Sequence, residues 1–361
     1  MAQYLNKYFA SVFNKTKEDL RDNGSMTNGN EDMEVDITIS EVEEKLKQLN
    51  GTKLGGPDNL HPRILKELAH EIASPLARIF NESVNSEVVR YDWRIANIVP
   101  IFKKGEKSDP GNYWPVSLTS VVCKVLEKIL KEKVVKDIEV NGKRDKIQHG
   151  FTKGRLCQTN LISFFEKVTH GELLVKLCKM GINRKIERWI RNWLKGRLQW
   201  VLLKGELSGC REITSGVPQG SVLGPILFNL FITNLGTKCG SVLIKFADDT
   251  KLGGIANLEK DRDILQEDLD DLVNWSNSNR MKFNSEKCKV MHLGINNKNF
   301  SYKLGTHQLE VTEEKKDLGV LVDHRMTMSR QCDMAMKKAN AVLGCIRRGI
   351  SSRDKEVLVP L

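Results

Sequence analysis

The stretch Val242–Leu252 reads VLIKFADDTKL, and it joins an apolar run to two adjacent carboxylates. A short apolar run with β-branched residues predicts a buried strand. The run ends at Asp248 and Asp249 and a second short run follows, so we expect the pair at the tip of a β-hairpin. Two interpretations fit this stretch alone. It is an ordinary Asp-rich turn, or a site where a divalent cation relieves the repulsion between the carboxylates.

A second stretch upstream, Ser215–Phe228, reads SGVPQGSVLGPILF. Its Gly/Pro-rich turn runs into an apolar helix, for which Ser221 is a natural N-cap. The start of such a helix offers free backbone N–H groups and a positive dipole end, which suits a phosphate. Gln219 adds an amide that both donates and accepts hydrogen bonds. The stretch therefore predicts an anion-binding turn.

Together, the two stretches closely resemble the motifs of reverse transcriptases from non-LTR (LINE-type) retrotransposons, in particular the CR1-like group. The resemblance implies RNA-directed DNA synthesis from an RNA template, a DNA primer and dNTPs, by a mechanism that uses two Mg²⁺ ions. It implies that Gln219 and Gly220 flank the incoming nucleotide, and that Asp248 and Asp249 bind the catalytic metal. The fold class that it implies is α+β: a right-hand polymerase with fingers, a palm with an antiparallel sheet, and the start of a thumb.

Further stretches extend the resemblance. Lys103 and Lys104, at the end of a predicted strand, correspond to finger lysines that meet the phosphates of the nucleotide; a solvated strand end is the alternative. Lys287 corresponds to the palm lysine near the leaving pyrophosphate, with a surface lysine as the alternative. Residues 148–155 (QHGFTKGR) resemble the end of the fingers. Trp114 stands where the family usually has arginine, and its side chain cannot supply a guanidinium fork to a phosphate.

The family pattern is interrupted at one junction. Residues 164–169 (FFEKVT) resemble the helix before a palm strand, and residues 170–177 (HGELLVKL) resemble the helix after it. In relatives, that strand carries a third aspartate, which bridges two metal ions roughly 4 Å apart. We therefore expect the strand to be deleted and the palm to lack one central strand.

The acidic residues around the junction support this expectation. No aspartate lies between Asp145 and Asp248, and Glu166 and Glu172 are the acids near the junction. Both glutamates sit in helical patterns and not at a strand end. The sequence thus predicts a reverse transcriptase with impaired catalysis. The alternatives are a non-catalytic relic that binds nucleic acid and an unstable pseudogene product.

The resemblance also divides the chain. We expect a connector helix and a flexible linker over residues 1–39, with residues 15–38 as the linker. Fingers and palm then follow over residues 40–300, and the end of the palm with a partial thumb over residues 301–361. It implies that the endonuclease preceding the connector in intact elements is absent here, and that the chain stops short of the remaining thumb.

Local patterns predict several helices, and three of them have an apolar inward face. These faces are Val122, Val125, Leu126, Ile129 and Val134 in residues 119–140; Ile186, Trp189, Ile190, Trp193 and Leu194 in residues 182–194; and Ile264, Leu265, Leu269, Leu272 and Val273 in residues 258–276. Ser40 with Glu43 forms a capping box that opens a short helix. Residues 61–84 are helical by period, with Pro75 as the break. In residues 182–194 one face is apolar and the other basic, and we assign Arg197 to the basic face. That face is either solvated or turned toward nucleic acid.

The composition fits a nucleic-acid partner. Lys and Arg number 57 against 46 acids, giving a net charge of +11 and a pI near 9.1. The eight cysteines are scattered, which predicts free thiols in place of a zinc site or a disulfide framework. The most apolar window, residues 222–235, is shorter than the roughly 20 residues of a spanning helix, so we expect no membrane contact. With no signal-peptide pattern, we expect an intracellular protein, nuclear or cytoplasmic and not secreted.

Overall fold

A computed structural model describes residues 1–13, 33–142, 167–246, 249–294, 297–317 and 319–349 of this chain. Helices and strands occur in separate runs along the chain, which confirms the predicted α+β class. The chain divides into two compact units. The first unit comprises Met1–Thr237, Leu243–Leu252 and Asn274–Lys282, and the second comprises Lys238–Val242, Gly253–Val273 and Phe283–Leu361.

Ten helices lie in the described residues. They are α1 (Ala2–Ser11), α2 (Ile39–Lys47), α3 (Pro62–Glu67), α4 (Ala69–Asn85), α5 (Val121–Val140), α6 (His170–Lys179), α7 (Arg184–Leu194), α8 (Gly224–Phe231), α9 (Glu259–Ser278) and α10 (Ser329–Gly349). Within the described ranges, no helix is long and apolar enough to cross a membrane.

The N-terminal cap of α2 differs from the prediction. Thr38 is the cap: its hydroxyl accepts from the N–H of Glu41 at 3.2 Å, and the Glu41 carboxylate accepts from the N–H of Thr38 at 2.8 Å. The prediction that Ser40 caps the helix is wrong. Both residues start a capping-box pattern, and the one that lies two residues earlier is used.

The helix break also differs from the prediction. Leu68 separates α3 from α4, and Pro75 lies inside α4. His61 begins α3, where its ring nitrogen Nδ1 accepts from the N–H of Arg63 at 3.2 Å. The imidazole therefore serves as a helix cap.

A mixed sheet forms the centre of the first unit. Its strands are β1 (Ile95–Phe102), β2 (Tyr113–Thr119), β3 (Arg197–Leu203), β4 (Glu206–Leu207) and β5 (Arg211–Ile213). The strand order is β2-β1-β3-β4, and β5 also pairs with β3. Strand β1 runs antiparallel to β2, with Val99 opposite Val116, and parallel to β3, with Ile98 opposite Val201.

The connector helix α1 packs on this sheet. Leu5 and Phe9 contact a cluster that contains Ile98 and Val201. The amide of Asn6 is fully buried, where it donates to Ser208 Oγ at 2.8 Å and accepts from the side chain of Gln199. A polar group buried this way is stable because each of its bonds to water is replaced.

The linker prediction for residues 15–38 is wrong at its end, while residues 15–32 lie outside the described part. Val35 and Ile37 are buried, and two asparagines of α4 bind their backbone. Asn85 accepts from the N–H of Val35 at 3.1 Å, and Asn81 accepts from that of Ile37 at 2.8 Å. The segment is thus bound to α4 through the side chains of Asn81 and Asn85.

The predicted inward faces of α5 and α7 are confirmed. The residues concerned are all buried: Val122, Val125, Leu126, Ile129 and Val134 of α5, with Ile186, Trp189, Ile190, Trp193 and Leu194 of α7. They form one core with apolar residues of α2, α4, α6 and α8.

The second unit contains short two-stranded sheets. Strand β8 (Lys289–Val290) pairs with β11 (Glu310–Val311), β9 (Lys303–Leu304) with β10 (His307–Gln308), and β12 (Glu314–Asp317) with β13 (Val320–Asp323). Earlier in the chain, strands β6 (Val242–Phe246) and β7 (Asp249–Gly253) pair with each other in a hairpin. Tyr302, Leu304 and Leu309 form the buried cluster of the second unit. Of the predicted inward face of α9, Leu272 is buried but Ile264 is 48% exposed, so the prediction is wrong for Ile264.

Candidate functional site

The carboxylate stretch forms the predicted hairpin. Strand β6 (Val242–Phe246) pairs with β7 (Asp249–Gly253). Asp249 is the first residue of β7 and is half-buried, while Asp248 lies outside the described residues. Within the described part of the chain, the two strands form a sheet of their own.

The apolar run predicted a buried strand, but β6 is buried on one face only. Val242 and Ile244 are 64% and 41% exposed, whereas Leu243 and Lys245 are buried. The Lys245 ammonium donates to the carbonyl oxygens of Thr233 at 3.0 Å and Leu235 at 3.3 Å, just past the end of α8. A buried cation at this end is stabilised by the negative end of the helix dipole.

We call residues 215–221, which precede α8 and contain Gln219, the glutamine turn. This turn is joined to the start of α6. The N–H of Gly216 donates to the carbonyl oxygen of Val168 at 2.8 Å. The Nε2 of His170 lies 2.7 Å from the carbonyl oxygen of Gly216, and all three residues are buried. Val168 and His170, which lie on either side of the predicted deletion, therefore fix one side of the glutamine turn.

The other side of the turn lies against β2. The N–H of Ser117 donates to the carbonyl oxygen of Gln219 at 2.8 Å. Gly220 has a φ of +107°, and a Cβ built on it would lie 2.5 Å from the carbonyl oxygen of Ser117. Only glycine fits there, since a side chain would meet both an unfavourable backbone angle and a backbone clash. The Oε1 atom of Gln219 is buried with no hydrogen-bond partner among the described residues.

The start of α8 is occupied by protein groups. The carboxylate of Glu127, on α5, accepts from the N–H of Val222 at 2.6 Å and that of Leu223 at 3.1 Å. The hydroxyl of Ser221 accepts from the N–H of Gly224 at 3.0 Å. The prediction that this helix start offers free N–H groups to a phosphate is wrong for these three groups. The prediction that Ser221 is the N-cap is wrong: Leu223 is the N-cap and Gly224 the first helical residue, although the Ser221 hydroxyl binds the N–H of Gly224.

Two charged groups beneath the turn are fully buried. Burial raises the pKa of the Glu127 carboxyl, and the bonds from Leu223 and Val222 and the charge of Arg197 oppose that rise. Burial lowers the pKa of Arg197 to about 10. The assignment of Arg197 to the basic surface is wrong. Its guanidinium donates to the carbonyl oxygens of Trp93 and Trp193 and lies 4.7 Å above the Trp193 ring.

The predicted phosphate-binding lysines lie in different parts of the chain. Lys103 and Lys104 follow β1 in the first unit and are exposed, and the N–H of Lys103 donates to the carbonyl oxygen of Asn112 at 2.8 Å. Lys287 belongs to the second unit, where it ends a short 3₁₀ turn and is exposed. Trp114 is half-buried on β2, and its indole N–H has no acceptor among the described residues.

The carboxylates suit a hard divalent cation, which prefers oxygen ligands. Asp248 and Asp249 are the residues that would hold it. In the described ranges, no group of three or more His, Cys, Asp or Glu side chains is placed to bind a metal. Glu172 lies in the first turn of α6 and is exposed, while Glu166 and residues 148–155 lie outside the described residues. The cysteines of the described part are free thiols, as predicted.

Sequence reasoning missed Glu127, Lys245 and the contact of His170. A signal existed for Glu127, which follows Cys123 by four residues and precedes Leu130 by three on the inward face of α5. Lys245 shares the inward face of β6 with Leu243 by alternation. No local pattern identifies the carbonyl that His170 reaches.

Comparison with known proteins agrees with this arrangement. The family model described as "Reverse transcriptase (RNA-dependent DNA polymerase)" matches residues 101–322. That range contains the lysines after β1, the glutamine turn, the hairpin and Lys287.

Similar proteins come from mobile elements. The RNA-directed DNA polymerase from mobile element jockey of Drosophila melanogaster is 27% identical over 334 residues, which is 81% of this chain and 36% of the relative. The probable RNA-directed DNA polymerase from transposon X-element is 26% identical over 369 residues, 90% of this chain and 40% of the relative. The jockey polymerase of Drosophila funebris is 29% identical over 334 residues. The chain thus spans about two fifths of the length of these relatives. It belongs to the reverse transcriptase family and is a reverse transcriptase domain of the non-LTR retrotransposon type.

Proposed function

We propose that this chain binds an RNA template, a DNA primer and a dNTP as a polymerase does, but catalyses nucleotidyl transfer poorly because its metal site is incomplete. The observation that carries the proposal is the sequence between Asp145 and Asp248, which contains no aspartate. The isolation of the β6–β7 pair among the described strands is in line with a missing neighbour.

The glutamine turn supports retained nucleotide binding. Gly220 lies against Ser117, and the buried Oε1 of Gln219 is an acceptor with no partner among the described residues. A buried acceptor of this kind costs free energy unless a partner fills it. A donor on the nucleotide is the partner that we assign to it, and Lys103 and Lys104 supply positive charge for the phosphates.

The family uses divalent metal ions, and Mg²⁺ is the ion that we assign to Asp248 and Asp249. A bound ion would neutralise negative charge that develops on the transferring phosphoryl group. In the proposed role, Gln219 and Gly220 orient the nucleotide, and Lys287 lies near the leaving pyrophosphate. Loss of one carboxylate ligand forfeits several kcal/mol of this stabilisation, and each ~1.4 kcal/mol is a factor of ten in rate.

Primer extension tests the proposal. Purified protein, an RNA template with a DNA primer, Mg²⁺ and dNTPs are compared for the wild type, Asp248→Ala and the surface control Asp270→Ala. We expect primer–template binding in all three proteins and extension about a thousandfold slower than that of the jockey polymerase domain measured beside them. Rapid extension by the wild type and by Asp270→Ala, but not by Asp248→Ala, would show that another carboxylate completes the site.

A second candidate function, nucleic-acid binding without catalysis, is favoured by a basic pocket in the first unit. The pocket has a volume of about 290 Å³ and is lined by Lys167, Ser276, Asn277, Arg280 and Lys282. Three cations and two polar side chains around one cavity suit a phosphate group of a nucleic-acid backbone.

Salt dependence distinguishes a real phosphate contact from a solvated surface. In Lys167→Gln/Arg280→Gln/Lys282→Gln, we expect the slope of log K against log [salt] for duplex binding to fall by about 1, since one phosphate contact contributes ~0.9. The matched control replaces three lysines elsewhere, Lys136, Lys195 and Lys238, with Gln. Equal changes in both triple variants would mean that the pocket is not a specific contact.

A further inference from the structure

Helix α8 has a buried side chain of opposite charge at each end. Glu127 of α5 binds its N-terminal backbone, and Lys245 of β6 binds the backbone after its C-terminal end. Both side chains come from elements distant in sequence, so neither contact is a local cap. The charges match the helix dipole, which is positive at the N-terminus and negative at the C-terminus.

The N-terminal contact is short and sealed from water. Glu127 is 0% exposed, and one of its oxygens, Oε2, accepts both from Val222 at 2.6 Å and from Leu223 at 3.1 Å. The other oxygen, Oε1, accepts from Cys123 Sγ at 3.4 Å. Only two residues, Gly220 and Ser221, separate Gln219 from Val222. The carboxylate therefore fixes the chain immediately after the glutamine turn.

The C-terminal contact reaches the hairpin. Lys245 is 1% exposed and donates to three carbonyl groups of the chain after α8, those of Ile232, Thr233 and Leu235, at 3.5, 3.0 and 3.3 Å. Lys245 precedes Asp248 by three residues in the sequence. The hairpin is thus anchored to α8 by the residue whose strand leads into the carboxylates.

We propose that Glu127 and Lys245 are positioning residues, which hold α8 as a rigid spacer between the glutamine turn and the aspartate hairpin. The proposal rests on the proposed function for the roles of those two segments as nucleotide and metal sites. It goes further in assigning their relative placement to two buried charges that touch neither ligand. Loss of the hydrogen-bonding group of either side chain leaves two or three backbone groups unpaired, and α8 then shifts at the end concerned.

Amide hydrogen exchange of the full chain tests the spacer directly. Glu127→Ala is expected to speed exchange in residues 216–224 at least tenfold. Glu127→Gln keeps an oxygen acceptor for the same two N–H groups and is expected to stay within threefold of the wild type. Glu139→Ala, which removes an exposed glutamate from the same helix, is the matched control and should change nothing there.

The distant effect decides whether α8 is a spacer. Lys245→Met keeps the length of the side chain but removes its donors, and we expect faster exchange at residues 232–235 together with at least threefold faster exchange at 216–224. An effect confined to residues 232–246 would overturn the proposal, as would Glu127→Gln exchanging as fast as Glu127→Ala. If Glu127→Ala does not fold, Lys245→Met and Glu127→Gln still decide the outcome.

A binding measurement separates this inference from the proposed function. A dNTP is titrated onto protein bound to a dideoxy-terminated primer–template in Mg²⁺. We expect Glu127→Ala and Lys245→Met to bind the dNTP at least tenfold more weakly, with primer–template affinity within twofold of the wild type. A wild type that binds no dNTP would refute the proposed function, while the exchange results would still decide the spacer. Unchanged dNTP affinity in both variants beside a wild type that binds would overturn the inference.

Discussion

The Nε2 atom of His170 lies 2.7 Å from the carbonyl oxygen of Gly216, and both residues are buried. A carbonyl oxygen only accepts, so Nε2 carries the proton and donates. The N–H of Gly216 in turn donates to the carbonyl oxygen of Val168 at 2.8 Å. Val168 and His170, on either side of the predicted deletion, thus bind both polar groups of one glycine in the turn before α8, and they fix where that turn begins.

His170→Ala should therefore destabilise the first unit. It leaves the buried carbonyl of Gly216 without its donor, at a cost of about 1–3 kcal/mol in the free energy of unfolding. Urea unfolding followed by tryptophan fluorescence measures the change. His70→Ala is the matched control, since the His70 side chain is 83% exposed and its loss should cost less than about 0.5 kcal/mol. Equal effects of the two substitutions would contradict the structural role of His170.

Gly220→Ala should be among the most damaging single-methyl additions in the chain. The residue has a φ of +107°, and the new Cβ would lie 2.5 Å from the carbonyl oxygen of Ser117. Backbone strain alone costs about 1–3 kcal/mol, and relief of the clash requires the turn to leave β2. We expect a lower melting temperature and weaker dNTP binding together.

The control for this substitution is Gly253→Ala. A Cβ at Gly253 meets no atom within 4 Å, so the melting temperature should change little. A Gly220→Ala protein as stable as Gly253→Ala would show that the turn does not lie against β2 in solution.

The helices were predictable because their apolar periods are long and continuous. All five predicted inward residues of α7 are buried, since a 3.6-residue period over eleven positions leaves little choice of face. The start of α2 was not predictable from the same sequence. Thr38 with Glu41 and Ser40 with Glu43 both satisfy the capping-box pattern, and the binding of Ile37 to Asn81 selects the earlier one.

The sequence predicted the motifs of the candidate site but not the buried charged residues around them. The hairpin and the glutamine turn follow from local patterns of residue types. Glu127, Arg197 and Lys245 are charged residues that local rules assign to solvent, yet each is buried against backbone groups of another segment of the chain. Such partners are separated in sequence, and every residue carries the same kinds of polar backbone group, so local patterns do not identify them.

Arg197→Met should reveal the cost of separating buried charges. The substitution removes a guanidinium that stabilises the charge of Glu127 and leaves the carbonyl groups of Trp93 and Trp193 without a donor. Removing one partner of a buried charge pair costs about 3–5 kcal/mol. We expect a loss of this size in urea unfolding, against less than about 0.5 kcal/mol for Lys195→Met at the exposed end of α7.

A double variant checks the cause. In Arg197→Met/Glu127→Gln the unpaired negative charge is gone, so the double variant should lose less stability than the sum of the two single losses. Strict additivity would mean that the two buried groups do not interact, and that the effect of Arg197→Met comes from packing alone.

Lys176 should make the stability of the first unit depend on pH in the alkaline range. Its ammonium donates to the carbonyl oxygen of Phe231 at 2.5 Å and to Asn279 Oδ1 at 2.7 Å, and it lies 4.2 Å above the Phe231 ring. Burial lowers the pKa of Lys176 from 10.5 to about 8, while Glu172 opposes this shift and Lys179 adds to it. Between pH 8 and 10.5 the unfolded chain then holds more protons at this site than the folded chain.

The sign of the effect follows from that difference in bound protons. The free energy of unfolding contributed by Lys176 rises as the pH rises from about 8 toward 10.5, because the unfolded state binds more protons there. Urea unfolding of the wild type and Lys176→Met at several pH values should show the stability difference shifting in favour of the wild type over this window. Lys195→Met, which removes an exposed lysine that does not act on the pKa of Lys176, should keep the pH dependence of the wild type. A wild-type advantage that falls or stays flat above pH 8 would mean that the contacts to Phe231 and Asn279 hold the ammonium charged despite its burial.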